Sequence, residues 1–126
     1  MTITLGNLVL VAGQTRNSSG NPVGPDGLSI RDERGVERRE LVGADGIEPE
    51  WIRCDARFVA FGVTRVFATP ALALAYVAGA GLSEGRQAAA ALKFDDATVM
   101  ARACVTRREC THEGCAVAVR YEIEGY

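Results

Sequence analysis

Residues that carry chemistry are scarce in this chain. It has one histidine, His112, and one tryptophan, Trp51, and aromatic residues make up only 6% of its 126 positions. A nucleophile needs a base, and the single imidazole has no serine or aspartate set around it that resembles a triad motif. No CxxC pair occurs, which excludes the strong zinc patterns, and no GxxxxGK[ST] loop is present to cradle a phosphate. Charge of one sign is lacking too. With 14 basic and 16 acidic residues and a net charge of −2, no global field favours nucleic acid or an anionic membrane. The longest apolar run stops well short of the roughly 20 residues that cross a bilayer. The acidic pairs Asp95-Asp96 and Glu48-Glu50 read as solvated turn carboxylates. Arg38-Arg39 and Arg107-Arg108 are each flanked by glutamate, which suits ion-paired contacts between subunits better than a nucleic-acid face.

What is present is ordinary globular composition, 48% hydrophobic and 24% charged, and the length fits one domain spanning residues 1–126. High alanine and glycine content predicts a core of small side chains. The N-terminus, MTITLGNLVLVAG, has no basic stretch before its apolar part and alternates like a strand, so it reads as folded structure and not as a signal peptide. The four cysteines are then expected as thiols in a reducing compartment.

Along the chain, TITLGNLVLV predicts a strand with a bulge or turn at Gly6-Asn7. Ala12 to Gly27, dense in Gly, Pro, Asn and Ser, predicts a long loop or arm. From Leu28 to Glu50 apolar residues are few. A small polar hairpin turning at Arg34-Gly35 and a short helix over Val36 to Leu41 both fit, and the whole of 12–50 reads as poorly cored. Trp51 to Phe67 is rich in β-formers and predicts a long strand, kinked at Gly62, with Arg57, Val59, Phe61, Val63, Arg65 and Phe67 on one face. Thr69 as N-cap and Pro70 at the first position start a helix over Pro70 to Ala78, with Leu72, Ala73, Tyr76 and Val77 as its apolar stripe. A strand over Ala90 to Phe94 follows. A β-hairpin closes the chain, with Val99, Ala101, Ala103 and Val105 facing the core from one arm and Val117, Val119, Tyr121 and Ile123 from the other. The fold class expected is α+β: an antiparallel sheet of about five strands with one short helix packed on it.

The stretch CVTRRECTHEGC holds Cys104, Cys110, His112 and Cys115. Three thiolates and an imidazole form a Cys3His set that can close a tetrahedron around zinc and stabilise a small binding module. Alternatively, Cys110 and Cys115 flank a hairpin tip at His112 and can be joined by a disulfide. The plain reading makes Cys54 and Cys104 small buried hydrophobes and leaves Cys110, His112 and Cys115 on an ordinary loop. The spacing favours the plain reading, so no metal ligand, cofactor or catalytic residue is assigned.

Two segments, FGVTRVFATPALALAYV and AVAVRYEIEGY, the first a strand running into an alanine-rich helix and the second a strand ending in YxIxG, resemble parts of small tail and virion-assembly proteins of tailed bacteriophages and prophages. The resemblance covers about residues 51–126. It implies a non-enzymatic structural protein, made in the bacterial host cytoplasm and built into the virion, whose partners are its own copies in a ring or tube and other virion proteins. No cofactor, nucleic acid or membrane enters that reading. The loop from Gln14 to Gly27 and the arm from Arg31 to Glu50, lacking a core of their own, are the segments expected to be ordered by neighbours.

Overall fold

The structure, a computed structural model, describes residues 1–13, 16–40, 47–79 and 88–126. Over 34–40 and 47–55 it describes the backbone alone. The alternating N-terminal residues form β1 (Ile3–Leu5) and β2 (Leu8–Val11), joined at Gly6-Asn7. Then come β3 (Val23–Glu40) and β4 (Ile47–Val66), the helix α1 (Pro70–Ala78), and β5 (Ala90–Phe94), β6 (Ala97–Glu113) and β7 (Ala116–Gly125). All seven strands belong to one sheet in the order β2-β1-β5-β6-β7-β4-β3, and every named pair is antiparallel.

This corrects the expected α+β class with about five strands: the described residues are sheet-dominated, with seven strands and one nine-residue helix among them. The difference lies in the polar N-terminal half. Residues from Val23 onward, expected as loop, and the stretch around Arg34-Gly35, expected as a turn, run as one 18-residue strand, and the expected start of a helix at Val36 is strand as well. β4 correspondingly begins at Ile47 and not at Trp51. A polar edge strand needs no apolar alternation, because its backbone hydrogen bonds to β4 are made whatever its side chains are. β4 continues through Gly62, and the irregularities in that pairing are register shifts against β3.

The two end strands of the sheet meet. Ala12 N–H donates to the Pro22 carbonyl at 3.0 Å and Gly24 N–H to the Gly13 carbonyl at 3.3 Å, across a parallel bridge between Gly13 and Val23. The sheet therefore rolls back on itself as an incomplete barrel with a two-bond seam. Its inner face holds the core: Ile3, Leu5, Leu10, Val11, Val59, Phe61, Val63, Leu92, Met100, Val117, Val119, Tyr121 and Ile123 are all buried, with Ala73 and Tyr76 added from α1. Burial of each large side chain is worth roughly 1.5–3 kcal/mol. On β6 the expected stripe is broken. Register shifts against β5 bury Met100 and Ala103 together and leave Ala101 exposed.

Thr69 caps α1 as its sequence predicts, its Oγ accepting from Leu72 N–H at 3.3 Å. The buried stripe is Ala73 and Tyr76, while Leu72, expected inside, is 52% exposed.

Candidate assembly surface

Three features of the fold present unspent bonding capacity. First, β4 pairs with β7 only from Arg57 to Val66, whereas its pairing with β3 runs on from Arg57 to Ile47. The outer part of β3 and β4 is thus a two-stranded ribbon extending past the sheet, and an isolated two-stranded ribbon is marginal in water. Secondly, β3 has an open outer edge, and so has β6 beyond Ala103, where β5 ends. Among the described residues no strand occupies either. Thirdly, α1 is apolar along its whole length, PALALAYVA, yet Leu72 and Leu74 are 52% and 56% exposed.

α1 is held by its one aromatic residue. The Tyr76 ring lies 4.8 Å from the Arg65 guanidinium and 5.5 Å from that of Arg108, and its centroid is 5.5 Å from the Phe67 ring. Arg108 Nη2 donates to the Tyr76 hydroxyl at 3.0 Å, and Arg65 Nη1 donates to the Gly20 carbonyl at 2.7 Å. Two cations on one aromatic ring are tolerable because each lies at the ring's negative quadrupole and keeps a polar partner. This cluster fixes α1 over β4 and β6 and turns its leucines outward.

The outer face of the sheet is polar. Arg107 bonds Glu109 on its own strand, which raises the Arg107 pKa, with Glu122 adding to the effect. Arg31 pairs with Glu33 at 3.4 Å and lies 4.7 Å from the Phe58 ring. Between these strands a shallow groove of about 510 Å³ is lined by Ser29, Arg31, Phe58, Thr106, Arg120 and Glu122. On the inner face, Arg57 Nε bonds Asp32 at 2.6 Å and its Nη1 donates to the Val99 carbonyl at 2.9 Å.

The cysteine-bearing stretch is strand almost to its end, and the tip is Gly114-Cys115, not His112. Gly114 has φ 59, as the first position of a two-residue hairpin turn requires. Cys104 faces outward opposite Glu124, whereas Cys110 and His112 face inward opposite Val119 and Val117. Cys104 and Cys110 are therefore on opposite faces and about 20 Å apart along the strand. Among the described residues no three potential ligands gather to hold a metal, and Cys104 and Cys115 are free thiols. Cys104 is exposed, contrary to its expected burial.

The other residues singled out by sequence also separate. Arg107 stays on the outer face, while Arg108 turns inward to Tyr76. Asp95 ties the β5–β6 turn to the N-terminus, its Oδ1 accepting from Thr2 N–H at 2.9 Å and its own N–H donating to the Thr2 carbonyl at 2.7 Å. Of the segment from Gln14 to Gly27, residues 14 and 15 lie outside the described residues. So do 41–46 of the arm from Arg31 to Glu50 and the side chains of Arg38, Arg39, Glu48, Glu50, Trp51 and Cys54. The open edge of β6 and the outward Leu74 had no sequence signal, since both depend on where β5 stops and how α1 is rotated. Comparison of the chain with protein-family models and with curated proteins returns no match.

Proposed function

We propose that this chain is a non-enzymatic structural protein of a phage or prophage virion, tail-associated, which acts by self-assembly into a ring or tube and by contacts with other virion proteins. The observation that carries the self-assembly is the β3–β4 ribbon, which runs beyond the sheet with strand pairing on one side only. Such a ribbon gains stability when a neighbour supplies the missing side. The open β6 edge and the outward leucines of α1 point the same way. The virion setting rests on the resemblance of FGVTRVFATPALALAYV and AVAVRYEIEGY to tail and virion-assembly proteins.

Native mass spectrometry of the purified chain tests this reading, because one spectrum reports both copy number and bound metal. The expected result is a metal-free closed oligomer that survives chelation. A monomer at every concentration, or a monomer carrying one zinc ion, overturns it.

A further inference from the structure

The two open edges fit each other. Their backbone polarity follows from the β6–β7 turn: Gly114 and Cys115 alone separate the Glu113–Ala116 pair, and a two-residue hairpin closes on a hydrogen-bonded pair. Alternation then turns the peptide groups of Glu113, Thr111 and Glu109 toward β7, and those of His112, Cys110 and Arg108 toward the open side. Carried across β7 and β4, the same alternation pairs Phe58 with Arg31 and Ala60 with Ser29 through hydrogen bonds, so Ile30 and Asp32 present theirs to the open side of β3. Two observed bonds agree with this polarity, Phe67 N–H to the Cys115 carbonyl and Gly20 N–H to the Val66 carbonyl, each at 2.8 Å.

We propose that β3 of one copy pairs antiparallel with the open half of β6 in the next, with Ile30 opposite Cys110 and Asp32 opposite Arg108. Both members of each pair carry outward-pointing peptide groups, so the ladder bonds can form. Both also lie on the inner face, Ile30 beside Val59 and Cys110 beside Val119. On the outer face the same register sets Glu33 opposite Arg107 and Arg31 opposite Glu109, two opposite-charge pairs. Sliding by two residues keeps the hydrogen-bonding pattern but places Arg31 against Arg107, or Glu33 against Glu109, which cross-strand pairing disfavours. Arg31, Glu33, Arg107 and Glu109 now pair along their own strands, all more than half exposed, and such exposed pairs exchange partners at little cost. Ile30, 48% exposed, gains cover. Because β6, β7, β4 and β3 alternate in direction, a β6 added to β3 points the same way as the β6 already present. The contact repeats head to tail, as a ring or tube requires.

This pairing depends on the self-assembly proposed above, and the tests separate the two. Ile30→Cys places a thiol opposite the native Cys110, with a Cα separation of about 5.5 Å that a disulfide spans. Mild oxidation of the Ile30→Cys protein should give covalent dimers and higher ladders, with peptide mapping joining position 30 to Cys110. Ile30→Cys combined with Cys110→Ser should lose them. Independently, Glu33→Arg and Arg107→Glu should each weaken assembly, by roughly five-fold per contact, and the double variant should recover it. An oligomeric wild type with no link between position 30 and Cys110, and no recovery in the double variant, overturns the register and leaves self-assembly standing. A wild type that stays monomeric overturns both.

Discussion

Tyr76 packs against two guanidinium groups, those of Arg65 and Arg108, and with Ala73 forms the buried side of α1. Removing its hydroxyl in Tyr76→Phe leaves the ring in place and deletes a hydrogen bond to a charged donor, a loss of about 1–2 kcal/mol. Tyr76→Ala empties the site at about 3–5 kcal/mol. Urea denaturation of both variants measures these differences. Burial opposes the Arg108 charge, but the Tyr76 hydroxyl, with Cys110 and Tyr121, more than offsets it, so the Arg108 pKa stands above the ordinary guanidinium value. A basic group raised on folding stabilises fully below its unfolded pKa and loses that contribution only as pH rises through the folded one. The stability difference between wild type and Tyr76→Phe should therefore be the same at about pH 5 and about pH 9. At the C-terminal end of β7, a Cβ on Gly125 would sit 2.1 Å from the Arg102 carbonyl oxygen and 2.7 Å from the Ala103 Cα. Gly125→Ala should cost about 1–3 kcal/mol, read as a lower midpoint in the same urea titration, because backbone and not a mobile side chain stands in the way.

At the scale of elements, α1 separates packing from association. Leu74 is 56% exposed, so Leu74→Ser should change monomer stability by no more than about 0.5 kcal/mol. The same variant should weaken self-association, which sedimentation velocity against concentration will register. The helix was legible in sequence because Thr69 and Pro70 mark its start chemically, whatever surrounds it. The buried face of β7 was legible because Val117, Val119, Tyr121 and Ile123 alternate without interruption. β3 was not. Its SIRDERGVERRE stretch carries mostly polar residues at both alternating sets of positions, which leaves no period to read. Leu72 was misplaced because an all-apolar helix carries no polar face to set its rotation. The hairpin tip was misplaced because Cys110 to Glu113 resemble a loop in composition, whereas Gly114 alone supplies the backbone freedom the turn needs. The candidate surface itself was legible only as a lack of core in 12–50. Its open edges come from strand order, which no local pattern encodes.

For the molecule as a whole, the apolar core among the described residues lies in the barrel and under α1, and the ribbon stands apart from it. Replacing residues 37–51 with Asn-Gly would close the hairpin on the Val36–Ile52 pair. The shortened chain should keep a cooperative thermal transition and a circular dichroism spectrum typical of a β protein, and its oligomer should weaken in native mass spectrometry without vanishing, because the β3 edge at Ile30 and the β6 edge at Cys110 remain. The strand order has a further consequence for synthesis. β1 is not complete until β5 exists: Ile3 and Leu5 pair with Phe94 and Leu92, and Thr2 is tied to Asp95, 93 positions later. At a translation rate of about 5–20 residues per second, the first apolar strand waits roughly 5–20 s for its partner to be made. The β3–β4 hairpin, built from neighbours in sequence, is free to form in the meantime. On the ribosome the β3–β4 ribbon can therefore pair before the barrel that supports it is complete, and of the apolar strands the one at the N-terminus waits longest for its partner.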